Sequence, residues 1–177
     1  TGAFHEDGFA DFCDGFGGGW TKARILEIMK DSRTGAYGSV GITLLLLVRF
    51  AALTAAPLEL VPLLLFAGHG LSRFVSVSFL YTHSYVRENE DSKAKPMAKR
   101  MSHGEFLFAG VSGFLPLVLF GESWLFGVAL VLIAFHVWFG RLLVRRIGGY
   151  TGDCLGAAQQ LAEVLIYLYA AALFGAA

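Results

Sequence analysis

The chain has 177 residues, 55% of them hydrophobic and only 16% charged, against roughly 25% charged in an average globular protein. Fourteen basic and fourteen acidic residues cancel, so nothing in the net charge points to nucleic acid and no such partner is expected. The two cysteines, Cys13 and Cys154, are far apart and form no CxxC pair, which excludes a cysteine zinc site or a disulfide framework. Sixteen Phe and twenty-two Gly suit lipid-facing aromatics and closely packed helices. One all-α transmembrane domain over residues 1–177 is expected. The opening Thr1-Gly2-Ala3 has no initiator Met and no signal-type cleavage site, so at least one further membrane segment is expected upstream.

Residues 1–19 read as the end of a helix stopped by Gly17-Gly18-Gly19. Within it Asp7, Asp11 and Asp14 recur at i, i+4 and i+7, inside an arc of about 60° on one helical face. Glu6 flanks that face, while Phe9, Phe12 and Phe16 lie opposite. Three like charges this close raise one another's pKa unless a cation sits among them. Their hard oxygens suit Mg²⁺, Mn²⁺ or Ca²⁺ rather than zinc, and the spacing is not that of an EF-hand. The plainer alternative is a solvated acidic helix end, but such faces seldom alternate with phenylalanine.

The connector over residues 20–36 carries Lys22, Arg24, Lys30 and Arg33. Lys30 and Arg33 can clamp phosphate oxygens, and Asp31 can add a ligand or orient Arg33. The alternative is a basic loop that only sets topology. Apolar spans follow at 37–56, 58–80, 106–120, 124–143 and 155–176, each near the ~20 residues that cross a bilayer. With residues 1–19 they make about six helical segments. Arg49 lies nearer the outer end of its span and reads as a snorkelling side chain. Arg73 sits deeper, so a carboxylate or a substrate phosphate is expected beside it. His69 and His136 read as packing or hydrogen-bonding residues.

Connectors 20–36, 82–105 and 141–153 hold twelve of the fourteen Lys and Arg, and a pair of spans separates each from the next. All three therefore share one face, which the positive-inside rule makes cytoplasmic. The basic stretch with Lys93, Lys95, Lys99 and Arg100 either gathers anionic substrates or only fixes orientation. Ahead of the last span, the glycines of 148–156 let backbone N–H groups approach an anion, with Asp153 either part of the site or a plain N-cap. Asp153, Gln160 and Glu163 form a polar stripe that should face a cavity rather than lipid.

Three strings then become recognisable in order: His5-Glu6-Asp7-Gly8 with Ala10-Asp11 and Asp14-Gly15, Lys30-Asp31-Ser32-Arg33 with Gly35, and Gly148-Gly149-Tyr150-Thr151-Gly152-Asp153 with Leu155-Gly156-Ala157. Together they resemble the cobalamin (5'-phosphate) synthase family, also called adenosylcobinamide-GDP ribazoletransferase. The resemblance implies a multi-pass enzyme of the bacterial inner membrane, dependent on Mg²⁺, with its active site facing the cytoplasm. It implies joining of α-ribazole, or its 5'-phosphate, to adenosylcobinamide-GDP with release of GMP, the lower-ligand attachment step of vitamin B12 biosynthesis. On that reading Glu6, Asp7, Asp11 and Asp14 hold the metal, and Asp11, Asp14 and Asp31 form the catalytic set. Lys30, Arg33, Arg73, Thr151 and Asp153 bind substrate. The cavity would be floored by the acidic helix and roofed by the basic connectors; oligomeric state is open.

Three other readings fit parts of the chain. A CDP-alcohol phosphotransferase also uses helical aspartates and Mg²⁺, but this sequence has no second tight acidic group. A cation-coupled transporter should show an internal repeat, and none is visible. Gly110-Val111-Ser112-Gly113 with His136 echoes an intramembrane serine protease, yet such a glycine string is common at helix contacts.

Overall fold

The computed structural model describes residues 2–86, 101–120 and 125–174. Among them are seven α-helices: α1 Phe4–Gly18, α2 Lys22–Ile28, α3 Ala36–Ala55, α4 Val61–Thr82, α5 His103–Phe120, α6 Leu125–Ile147 and α7 Gly152–Phe174. The apolar spans read from sequence correspond to α3 through α7. Four stretches, within α3, α4 with its leading turn, α6 and α7, are long and apolar enough to cross a membrane. The apolar part of α5 is shorter, at His103–Val118. The chain is therefore a membrane-spanning helical bundle. The basic run at Lys93, Lys95, Lys99 and Arg100 falls outside the described residues.

The sequence reading missed α2, which lies inside the first basic connector. Its signal is local: the Thr21 hydroxyl caps it by accepting the Arg24 N–H, and its one buried residue is Ile25. Helix α5 begins earlier than its apolar run because Ser102 and Glu105 form a reciprocal capping box, with Glu105 accepting the Ser102 N–H at 2.7 Å. The Gly17-Gly18-Gly19 string ends α1 through close packing, for Gly19 is extended rather than left-handed (φ −102°). A Cβ there would strike Ile25 and the Gly15 carbonyl, and one on Gly17 would strike the Tyr37 ring. Gly148 is the left-handed cap, at φ 86°, and its N–H closes α6 onto Val144 and Leu143.

Helix α7 is the centre of the bundle and packs against α1, α3, α4 and α6. Over half of its span (56%) is buried, against 17% for α3, which turns Val40, Leu44, Leu47 and Phe50 outward. Between helices in lipid no hydrophobic drive remains, so contact rests on packing and on small residues. Glycine supplies that closeness at two crossings. Gly8 of α1 lies against Asp153 and Gly156 of α7, and Gly70 of α4 against Gly113 of α5.

Candidate functional site

Helix α1 runs antiparallel to the start of α7. His5 sits beside Gly156 and Gly8 beside Asp153, so close that a Cβ on Gly8 would lie 3.1 Å from the Asp153 Cα. Two motifs some 145 residues apart in sequence thereby meet, with Gly8, between Asp7 and Asp11, against the first turn of α7. Asp7 is exposed and Asp11 half-buried.

The remaining acids of α1 turn elsewhere. Asp14 is buried, 8% exposed, and both its oxygens accept backbone N–H groups: Gly35 at 2.7 Å and Gly38 at 2.9 Å. These are the orphan amides at the start of α3, a helix whose own Gly35 has no capping side chain. Glu6 faces α3, with Arg49 3.9 Å away. Among the described residues, no three His, Cys, Asp or Glu side chains converge in a way that could hold a metal ion. As a ready-made cage of Glu6, Asp7, Asp11 and Asp14 the acids therefore do not fit; the hard-oxygen donors around the α1–α7 crossing are Asp7, Asp11 and Asp153.

Arg49 does not snorkel. Its guanidinium donates to Gln160 at 2.6 Å and lies 3.5 Å from Glu163, deep inside the bundle. Glu163, 2% exposed, also accepts the Tyr167 hydroxyl at 2.9 Å and the Gln159 amide at 2.6 Å, and His69 approaches within 3.3 Å. Gln159 reaches on to Ser72 of α4. The expected polar stripe of α7 thus divides: Gln160 and Glu163 build a buried network, while Asp153 stays at the α1 crossing. Arg73 donates to the His69 carbonyl at 2.9 Å and makes no ion pair among the described residues. Burial of the His5 ring, and then the positive charge of Arg73, lower the His5 pKa.

Thr151, fully buried, is the N-cap of α7: its hydroxyl accepts the Cys154 N–H. Asp153 lies inside the first turn and is not the cap. The strand-like segment before α7 is held by Ser84 and Val86, which exchange backbone hydrogen bonds with Tyr150. Gly149 has no room for a side chain, because a Cβ would strike the Ser84 carbonyl.

Asp31 and Arg33 form a bidentate pair in the open connector before α3, with Nη2 to Oδ2 at 2.7 Å and Nε to Oδ1 at 3.0 Å. Hydrogen bonds from Arg33 hold the Asp31 carboxyl down at about 2. Asp31 therefore orients Arg33 in this structure.

The serine-protease pattern is not assembled. Gly110 and Gly113 pack on Phe74, and His136 bonds to Ser78 and Thr82 rather than Ser112.

A family model described as cobalamin-5-phosphate synthase matches residues 1–171. Among similar proteins, an adenosylcobinamide-GDP ribazoletransferase of Ralstonia pickettii is 48% identical over 94% of this chain and 65% of its own length. One from Shewanella pealeana is 45% identical over 95% of this chain and 66% of its own, and one from Vibrio cholerae 48% over 95% and 65%. The chain spans 65–66% of the length of these curated relatives. No solved structure matches it. With the acidic, basic and glycine-rich motifs standing in their expected order, and a family match running through nearly all of the residues, the chain belongs to the cobalamin-5-phosphate synthase family.

Proposed function

We propose that this chain carries the catalytic bundle of an adenosylcobinamide-GDP ribazoletransferase. A hydroxyl of α-ribazole, or of its 5'-phosphate, attacks the phosphorus that bears the cobinamide arm. A new P–O bond forms there, the bond to the bridging oxygen breaks, and GMP leaves with that oxygen. The observation that carries this reading is the α1–α7 crossing. There Gly8, which lies between Asp7 and Asp11 in α1, packs against Asp153 and Gly156 at the start of α7.

The chain's residues divide the work. Arg33, held in orientation by Asp31, and Lys30 bind phosphate oxygens from the α2–α3 connector. Arg73, which makes one hydrogen bond among the described residues, to the His69 carbonyl, adds further donors. Asp11 accepts the proton of the attacking hydroxyl. Asp14 contributes by seating α3, and with it the connector that bears Lys30 and Arg33. Since no three acids among the described residues converge, Mg²⁺ would be held by Asp7 and Asp11 together with the substrate's own phosphate oxygens, and would neutralise charge on a diphosphate and on its departing fragment. The reading places the chain in the bacterial inner membrane with this end toward the cytoplasm, since the basic connectors share it.

The test is turnover by protein in liposomes, given adenosylcobinamide-GDP and α-ribazole 5'-phosphate with Mg²⁺ or with chelator. GMP release matched by corrinoid product, abolished by chelator and lowered at least ~100-fold in Asp7→Ala and Asp11→Ala, is the expected result. Folded protein that forms no product with Mg²⁺ present would refute the assignment and direct attention to CDP-alcohol substrates.

A further inference from the structure

Two cavities meet at His136 and Val137, and neither is lined by any residue of α1. The first, about 380 Å³, is bounded by His83 at the end of α4 and by Gly140, Arg141, Val144 and Arg145 of α6. The second, about 210 Å³, lies between α4, α5 and α6 and is walled by Phe74, Phe106, Phe114, Ala129, Leu132 and Ile133. Helix α5 packs on α4 and α6 on α7, which leaves this slot where α5 and α6 face each other.

The two cavities differ sharply in chemistry. Among the described residues, no acidic side chain lines either one. Arg141 and Arg145 are one helical turn apart, both exposed, and neither has an ion pair or hydrogen bond among the described residues. His83 stands beside them with its orientation set from within. The Ser78 hydroxyl donates to the Val75 carbonyl at 2.6 Å and so accepts from His136 Nδ1 at 3.0 Å. His136 Nε2 then meets Thr82 Oγ1 at 3.1 Å, and that oxygen meets His83 Nδ1 at 2.8 Å. The relay leaves His83 Nε2 at Gly140, on the cavity wall.

Along α6 the lining passes from Ala129 and Ile133 to Arg141 and Arg145, and along α4 from Phe74 to His83. Both helices end, at Ile147 and Thr82, on the face that carries the basic connectors. The apolar slot therefore lies deeper in the bundle and the cationic cavity at its rim. A ligand that fills both has an anionic head and a hydrocarbon tail, a polarity that a soluble phosphate lacks.

We propose that this groove binds an anionic phospholipid, its phosphate between Arg141, Arg145 and His83 and an acyl chain in the slot walled by Phe74, Phe114 and Leu132. The site is independent of the transfer reaction and lies apart from the α1–α7 crossing.

Native mass spectrometry of the detergent-purified chain, offered equal amounts of phosphatidylglycerol and phosphatidylcholine, tests it. Phosphatidylglycerol should be retained in preference, and R141Q/R145Q should weaken that retention about thirtyfold, to the phosphatidylcholine level. Both arginines are exposed and have no partner among the described residues, so the double variant should keep its fold, which circular dichroism checks. A129W, which fills the slot, should weaken retention with both arginines in place. Equal retention of the two lipids, or phosphatidylglycerol binding unchanged in R141Q/R145Q, would overturn the proposal. So would displacement of the lipid by millimolar inorganic phosphate, which would make the groove a soluble-anion site.

Discussion

Asp14 Oδ1 accepts the Gly38 N–H at 2.9 Å, while its second oxygen takes the Gly35 N–H at 2.7 Å. One carboxylate from α1 thus fills both positions of a capping box on α3, and a carboxylate suits that helix end electrostatically. A Cβ on either glycine would strike the Asp14 carboxylate. Asp14→Asn exchanges one acceptor for a donor and should cost about 1 kcal/mol, whereas Asp14→Ala leaves two amides uncapped and should cost about 2–3 kcal/mol. Thermal unfolding in detergent would show that order. Equal stability of wild type and Asp14→Ala would mean that the cap contributes nothing.

The α1–α7 crossing depends on Gly8 and Gly156, where a Cβ on Gly156 would come 3.0 Å from the His5 carbonyl. Gly156→Leu should separate the helices, cost about 1–3 kcal/mol and lower turnover with it. Gly152→Ala, four residues earlier with nothing within 4 Å of its Cβ, should be close to neutral. The pair of variants separates a packing requirement from a general intolerance of α7 to substitution.

Glu163 is the charge around which the buried network closes. Glu163→Ala would leave Arg49 without its buried counter-charge and should destabilise by about 3–5 kcal/mol. Tyr167→Phe removes one of the hydrogen bonds to Glu163 and should cost about 1 kcal/mol. Arg49→Met combined with Glu163→Leu should recover much of the loss, because no charge is then left buried alone. A double variant as unstable as the sum of its single changes would argue against direct coupling.

The Asp31–Arg33 pair carries a pH signature. Arg33 depresses the Asp31 carboxyl from 3.8 to about 2, so the ordering it gives the α2–α3 connector is complete above the ordinary carboxylate range. It is lost as pH falls from about 4 through 2, since the folded value is the lower one. Carboxyl carbon NMR of labelled aspartate should find Asp31 still ionised at about pH 3, and Arg33→Gln should return it to the normal range. An Asp31 titrating normally in the wild type would mean that the pair does not form in solution.

Fold class and most of the spans were legible because hydrophobic length and the placement of Lys and Arg are local properties, readable without knowing what packs on what. The three motifs were legible for the same reason, as fixed spacings of Asp, Lys, Arg and Gly. Helical periodicity put Asp7, Asp11 and Asp14 on one face, but it could not say what each aspartate meets. Only the packing of α3 against α1 decides that Asp14 satisfies the Gly35 and Gly38 amides while Asp7 stays exposed. Arg49 is the same case: its depth suggested snorkelling, and Gln160 and Glu163, 111 and 114 positions further on, turn it inward. Helix periodicity and span length are set by bonds within a few residues. The partner of a buried charge is set by which helices cross, and that choice rests on glycine contacts such as Gly8 with Gly156 that have no meaning until the chain has folded.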